Sequence, residues 1–215
     1  MLFLFSNTIT NAQIIEKNSI YKVVYSETYQ QPISLSYTLP FYKKLKTISL
    51  YDGVEYLEPS SNFIEPLNII TSNKNDYEGN IYDHGHLAPN ATFPSDSAKK
   101  YLWSYLNCAL MHETLNSGVW RVLEDYERKL NEDNNVRVKI IVSFSPESTI
   151  VLGGATVPSS FTKIIEYDFD HFYIFGRAQD ITREVYIFPN DASVKGKKIE
   201  EFKVKELCGK FKSNE

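Results

Sequence analysis

The spacing of apolar and polar residues predicts two groups of β-strands with one clear helix between them. The strand segments alternate apolar and polar side chains, are rich in β-branched and aromatic residues, and end near proline, glycine or asparagine. They are predicted at residues 20–26, 33–39 and 47–51, and again at 137–144, 149–152, 161–167, 172–175 and 185–188. This order indicates an α+β fold.

The clearest helix is predicted from residue 117 to about residue 130, where apolar residues recur every three or four positions. Its apolar stripe consists of Val119, Trp120, Leu123, Tyr126 and Leu130, and such a stripe normally packs on a core. A shorter helix is predicted at 96–100 behind Ser95 as N-cap, and the apolar segment 101–111 favours a buried strand. Residues 59–79 are rich in asparagine, serine and proline, which predicts a long loop.

Composition limits the class of protein. The length of 215 residues predicts one domain, at 20–215, behind an N-terminal segment at 1–19. The formal net charge of -4 argues against a basic surface over the whole molecule, so a phosphate-binding surface would be a local patch. No stretch approaches the roughly 18 apolar residues of a membrane span, so we expect no membrane partner. Cys108 and Cys208 fit one disulfide or two buried thiols, and the thiols are favoured.

The opening residues, MLFLFSNTITNAQ, fit two interpretations. An apolar run followed by the small residues Thr10 and Ala12 is typical of the end of a secretory signal, but the basic leading segment is missing. The same run fits an apolar N-terminal strand. The first interpretation predicts a secreted or periplasmic protein, and the second leaves a cytoplasmic one open.

Candidate chemistry begins at the sequence DHGH, where Asp83, His84 and His86 share a short stretch of backbone. Alone this pattern is weak, because histidines on a strand are commonly surface or core residues. It also fits a zinc hydrolase that uses His84 and His86 as ligands, although catalytic zinc usually takes a third protein ligand. That ligand would have to come from His112, His171 or scattered acids.

A second motif changes this interpretation. Residues 107–124 read NCALMHETLNSGVWRVLE, and residues 82–93 read YDHGHLAPNATF. Together they resemble the DNA/RNA non-specific endonucleases, the Serratia nuclease and endonuclease G-like group. The signature of that family is D-R-G-H-x-A-P, an Asn on a strand, and L-N-x-G-x-W-x-x-L-E-D at the head of a long helix. The resemblance continues through LEDYERKL, VPSSFTKI and FPN, and it spans roughly residues 20–210. It implies a ββα-metal (His-Me finger) nuclease fold with a central antiparallel sheet and a long active-site helix.

The resemblance implies a role for each matching residue. His86 would be the general base that takes a proton from the attacking water, and Asn116 would be the single protein ligand of Mg²⁺, or of Mn²⁺. Glu124 would hold the waters of the metal, Asn107 would orient the substrate or those waters, and Asp83 would brace the loop by accepting backbone hydrogen bonds. DNA and RNA would both be substrates, because only sugar and phosphate are handled.

The same residues also have purely structural interpretations. Glu124 fits a solvated acid paired with Arg128 at i+4, and Asn116 fits the N-cap of the helix. Trp120 fits the core, and Cys108 fits a buried neighbour of the site without a chemical role.

The chain departs from the family signature at three places. His84 stands where the family has Arg, and histidine is charged only below its pKa, ordinarily about 6.5. Family members also tend to have an arginine on an early strand, but the first arginine of this chain is Arg121. A lysine at 43, 44 or 46 would have to take its place. Met111 stands where the family often has Gln near the metal's waters. These departures leave open a weakened homologue that only binds nucleic acid. The sequence also leaves open an inhibitor protein or a homodimer.

Overall fold

The computed structural model describes residues 13–40, 63–93, 95–168 and 180–212. In chain order, the strands are β1 Gln13–Lys17, β2 Tyr21–Ser26, β3 Gln31–Thr38, β4 Tyr82–His86, β5 Cys108–His112, β6 Asn135–Ser143, β7 Ser160–Asp168, β8 Asp180–Pro189 and β9 Gly209–Lys212. Seven of them form one sheet in the order β1-β2-β3-β6-β7-β8-β9, and β4 pairs with β5. Neighbouring strands are antiparallel, so the predicted α+β fold with a central antiparallel sheet is confirmed.

The two faces of the large sheet differ in polarity. On β6, Val136, Val138 and Ile140 are buried, whereas Arg137 and Lys139 between them are exposed. Side chains alternate between faces along a strand, so this pattern defines an inner face on the core and an outer face towards solvent.

The helices pack on the inner face. The strand β5 leads into α2, Glu113–Leu115, then into a wide π-helical turn, Asn116–Trp120, and then into α3, Arg121–Leu130. Trp120 is buried against Phe161 of β7, at 5.6 Å between ring centroids. The helical segment therefore begins at Glu113, before the predicted start at residue 117. A shorter helix, α1, covers Asp96–Leu102.

The β4-β5 hairpin is fixed to the large sheet by two buried amides. The Leu110 N–H donates to Gln31 Oε1 at 3.0 Å, and the His112 N–H donates to Asn190 Oδ1 at 2.7 Å. Within the hairpin, Gly85 lies against Met111, because a Cβ built on Gly85 would be 2.5 Å from the Met111 Cβ. Only glycine allows that approach. Met111 is fully buried in the core. From the sequence, a position near the metal's waters had been expected for it instead.

Several boundaries differ from the sequence prediction. Within the apolar segment 101–111, the structure has the end of α1, a 3-10 turn at Tyr105–Asn107 and then β5, rather than one strand. Around 149–152 there is one isolated bridge, Ile150 to Thr156, in place of the predicted strand. The strands β1 and β9 were not predicted, and β1 places part of the sheet before residue 20. The predicted strands at 47–51 and 172–175 and the apolar run at 1–12 lie outside the described residues.

The two cysteines are separate thiols. Cys108 is fully buried and donates to the Tyr77 hydroxyl at 3.3 Å, and Cys208 donates to the Val204 carbonyl at 3.1 Å. Within the described ranges, no helix is both long enough and apolar enough to cross a membrane.

Candidate active site

Asp83 and Asn116 meet where the hairpin lies beside the start of the long helical segment. The side-chain Nδ2 of Asn116 donates to Asp83 Oδ2 at 3.0 Å. An ionised carboxylate only accepts hydrogen bonds, so the amide nitrogen has to face Asp83 and the oxygen Oδ1 is the remaining donor atom for a cation. In the described part of the chain, Asp83 thus accepts a hydrogen bond from a side chain. From the sequence, Asp83 had been expected to accept hydrogen bonds from the backbone of the loop.

Asn116 lies inside the helical segment. Its backbone is right-handed helical, with φ -58 and ψ -53, and the N-cap is His112, whose side chain accepts from the Thr114 N–H. The interpretation of Asn116 as an N-cap is therefore wrong. Asn116 opens the π-helical turn, in which Gly118 leaves helical geometry with φ -99 and ψ -118. Single π-helical turns are frequent at functional sites.

Trp120 connects the helix to the strand that carries His86. The indole N–H donates to the His86 backbone carbonyl at 3.3 Å. Sequence reasoning placed Trp120 in the core, which its 1% exposure confirms, but missed this polar connection. The signal was available, because a buried indole N–H normally finds an acceptor.

Behind Trp120 lies a buried ion pair. Lys163 of β7 is fully buried, with Nζ 2.7 Å from Glu127 Oε1 and 4.1 Å from the centroid of the Trp120 ring. The Tyr37 hydroxyl donates to Glu127 Oε2 at 2.6 Å. Sequence reasoning missed this group, because it joins two strands and one helix that are far apart in the chain.

Glu124 is half-buried, and the charges of both Lys163 and Glu127 act on its carboxyl group. Burial raises its pKa to about 7, and the positive charge of Lys163 is the largest opposing effect. Arg128, the residue at i+4, instead forms an ion pair with Asp125 and donates to Thr92 at 3.4 Å. The interpretation of Glu124 as a solvated acid paired with Arg128 is therefore wrong.

His84 and His86 lie among aromatic rings. His84 is stacked between Tyr77 and Phe63, with ring centroids at 3.8 and 4.4 Å. His86 contacts Phe63 at 5.3 Å and Trp103 at 5.2 Å. In the described structure, His86 Nε2 is buried without a hydrogen-bond partner.

These surroundings keep both imidazoles neutral near pH 7. Burial lowers the pKa of His84 to about 4, against an opposing effect of Asp83. Burial likewise lowers the pKa of His86 to about 4, and the charge of His84 adds to it, while a backbone hydrogen bond with His84 opposes. A neutral His86 can accept a proton. For His84, the sequence had suggested a change of charge near pH 6.5, and the aromatic stack moves that change well below neutral pH.

Asn107 is fully buried beside the loop that follows His86. Its Oδ1 accepts from the Ala88 N–H at 2.8 Å, and its Nδ2 donates to the carbonyls of Ala88 and Leu102, both at 3.0 Å. Both amide hydrogens are thus used by backbone. These bonds support a bracing role and do not support the predicted contact with substrate or metal-bound water.

The donor set fits a hard cation held mostly by water. Across the described ranges, no group of three His, Cys, Asp or Glu side chains could hold a metal ion, as catalytic zinc usually requires. His171, a candidate third zinc ligand, lies outside those ranges. The oriented amide oxygen of Asn116 is instead the type of ligand that Mg²⁺ accepts alongside several waters.

Comparisons with known proteins bear on the family and the fold of this chain. The family model for DNA/RNA non-specific endonucleases matches residues 2–207. A similar solved structure is that of the EndoG/EndoGI complex, described as showing the mechanism of EndoG inhibition. Its matching chain is 20% identical, the match covers 88% of this chain and 79% of that one, and the TM-score is 0.73, which shows a shared fold. No curated protein matches the chain. Because the family model covers nearly the whole sequence, the chain belongs to the DNA/RNA non-specific endonucleases.

Proposed function

We propose that this protein is a metal-dependent endonuclease that hydrolyses phosphodiester bonds of DNA and RNA without base selection. The observation that carries the proposal is the bond between Asp83 and Asn116, which orients an amide as a metal ligand needs it. Hydrolysis requires an activated water, positive charge near the leaving oxygen, and compensation of the phosphate charge. The residues of the site are suited to the first two tasks.

His86 acts as the general base. Its neutral imidazole can take the proton of the attacking water without first losing one of its own. Two side chains hold the backbone at this residue. The Trp120 indole donates to the His86 carbonyl, and Asn107 accepts from the backbone N–H of Ala88 in the loop that follows.

Asn116 would hold Mg²⁺ or Mn²⁺ through Oδ1. A bound cation would supply the Lewis acid that stabilises charge on the leaving oxygen. Asp83 keeps the amide turned the right way, and Glu124 would accept hydrogen bonds from the ion's waters. In this scheme Asp83 and Glu124 are positioning residues.

His84 contributes a ring rather than a charge. Stacked between Phe63 and Tyr77 and neutral near pH 7, it does not replace the permanent cation of an arginine. Charge compensation therefore falls to other cations, and the lysines at 43, 44 and 46 that the sequence offers lie outside the described residues.

A protein that binds nucleic acid without cleaving it is the second candidate. It is favoured by the burial of His86 Nε2 under the aromatic rings, since general-base catalysis by that atom needs the rings to move and admit a water. For a partner other than substrate, the inhibitor complex of the similar EndoG structure supports an inhibitor protein as a proposal.

The test is incubation of the purified protein with plasmid DNA and with RNA, in Mg²⁺, Mn²⁺, Zn²⁺ or EDTA. The proposal predicts cleavage of both polymers with Mg²⁺ or Mn²⁺ and none with EDTA. Binding of both polymers without cleavage under any condition would support the second candidate. Activity with Zn²⁺ alone, at one tightly bound equivalent, would instead support a zinc hydrolase.

A further inference from the structure

The outer face of the large sheet carries a groove of about 700 Å³ at the β1-β2-β3-β6 side. Neither His86, Asn116, Glu124 nor any other candidate site residue lines it. The active-site helix packs on the inner face, through Trp120 against Phe161. The sheet therefore separates the groove from the site.

Strand register places the cations of the groove in rows. Lys17 is directly opposite Lys22, Lys22 is opposite Ser36, and Ser36 is opposite Lys139. This first row spans three strand spacings, or about 15 Å. In the next row, Thr38 is opposite Arg137, which is opposite Glu166, which is opposite Arg183.

The cations of the groove differ in whether an acidic side chain pairs with them. Arg183 forms an ion pair with Glu166 at 2.6 Å. In the part of the chain that the structure describes, Lys17, Lys22, Arg137 and Lys139 form no ion pair, and all four are exposed. Like charges directly opposite each other in a sheet are destabilising, as for Lys17 and Lys22, so the arrangement has a cost to folding.

We propose that this groove binds the sugar-phosphate backbone of a nucleic acid, as a second contact for the substrate of the active site. The inference rests on the proposed function for the identity of the ligand. A chain with a net charge of -4 would repel a polyanion except at such a local patch. The hydroxyls of Ser36 and Thr38 add phosphate donors between the cations, and these contacts carry no base selectivity.

The location predicts a dependence on substrate length. Because the sheet lies between groove and active site, a short oligonucleotide in the site does not reach the groove. A long polymer can contact both by passing around the edge of the sheet. The groove therefore strengthens binding of long substrates and leaves the chemical step unchanged.

The experiment compares two charge-reversed pairs. Lys22→Glu with Lys139→Glu changes the groove, and Lys129→Glu with Lys205→Glu makes the same change of net charge at exposed lysines outside it. A labelled long duplex is titrated in EDTA, which prevents metal-dependent cleavage, over a series of salt concentrations. We expect the groove pair to weaken binding by about tenfold or more at low salt, and to reduce the salt slope by about 2, because two phosphate contacts are lost. The control pair should change both much less, and Lys22→Gln with Lys139→Gln should give a smaller loss in the same direction.

Cleavage assays separate this inference from the proposed function. With Mg²⁺, the groove pair should cleave a tetranucleotide like the parent but cleave plasmid more slowly at low substrate concentration. Equal affinity of the groove pair and the parent for the long duplex would overturn the inference. The cationic face would then fit an acidic protein partner instead. Equal losses in both pairs would also overturn it, because the effect would then come from net charge. If neither the parent nor any variant cleaves a substrate but the groove pair still binds nucleic acid more weakly, the proposed function is wrong and the inference about the groove is supported.

Discussion

The side chain of Asn116 donates to Asp83 across 3.0 Å, and this bond decides which end of the amide is available to a cation. Asn116 lies on the helical segment and Asp83 on β4, so the bond also joins the two parts of the site. The oxygen of a free asparagine can rotate away from a metal ion, whereas here the carboxylate holds the nitrogen on the opposite side.

Replacing Asp83 should weaken metal binding although Asp83 is not itself a ligand. In Asp83→Asn, the new amide can donate as well as accept. The Asn116 amide can then turn its Oδ1 towards residue 83, where it is no longer available to a cation. We expect Mn²⁺ affinity to fall by roughly 10–100-fold, the usual effect of losing an outer partner of a ligand. Calorimetric titration measures it, with Asp125→Asn as the exposed control that also loses one carboxylate. Unchanged affinity in Asp83→Asn would show that the orientation of Asn116 does not depend on this bond.

Removing the buried cation should cost far more stability than removing an exposed one. Lys163→Met leaves Glu127 buried without its partner, which should lower the free energy of unfolding by about 3–5 kcal/mol. Lys74→Met breaks the exposed pair with Glu78 and should cost about 0–1 kcal/mol. Urea denaturation of both variants gives the comparison. Similar small losses in the two would mean that Lys163 is reached by water in solution.

Opening the aromatic stack should raise the pKa of both active-site histidines. Phe63 contacts both rings, so Phe63→Ala admits water and reduces the burial that lowers these pKa values to about 4. The imidazole resonances, followed by NMR over a pH series, should titrate at higher pH in the variant than in the parent. Phe144→Ala, which removes a ring stacked on Tyr29, is the control and should leave both titrations in place. Identical titrations in parent and Phe63→Ala would mean that Phe63 does not cover the histidines.

His84 should make the fold sensitive to acid. Its pKa is 6.5 ordinarily and about 4 in the fold, so between these values the unfolded chain binds the proton and the folded chain does not. The contribution of His84 to stability is therefore complete above about pH 6.5 and is lost as the pH falls towards 4. His84→Phe keeps a ring between Phe63 and Tyr77 but cannot titrate. Its melting temperature should fall less than that of the parent between about pH 8 and about pH 5, on either side of the usual pKa. Parallel losses in the two proteins would assign the acid sensitivity to other groups.

The sequence predicted those features that depend on local spacing. Alternation located β2, β3, β6, β7 and β8. The family resemblance, rather than spacing, placed Asp83 and Asn116 in the same site. The start of the helical segment was predicted too late, because the π-helical turn at Asn116–Trp120 interrupts the regular helical period.

The features that were missed depend on long-range contacts. Burial lowers the pKa of His84, and Phe63, one of the rings that bury it, lies in a loop without any periodic pattern. The partner of Glu127 is a lysine on β7, and a lysine in a strand ordinarily predicts solvent. The rows of cations on the outer face follow from the register between neighbouring strands. The pattern of residues within one strand does not predict that register.

One rate comparison decides whether His86 is the general base of a metal-dependent phosphodiesterase. Plasmid cleavage by the parent and by His86→Ala is followed under single-turnover conditions at saturating Mg²⁺, after circular dichroism has shown both to be folded. We expect His86→Ala to be slower by roughly 10²–10⁴-fold, the usual contribution of a general base. Cleavage by His86→Ala at the rate of the parent would mean that His86 is not the general base.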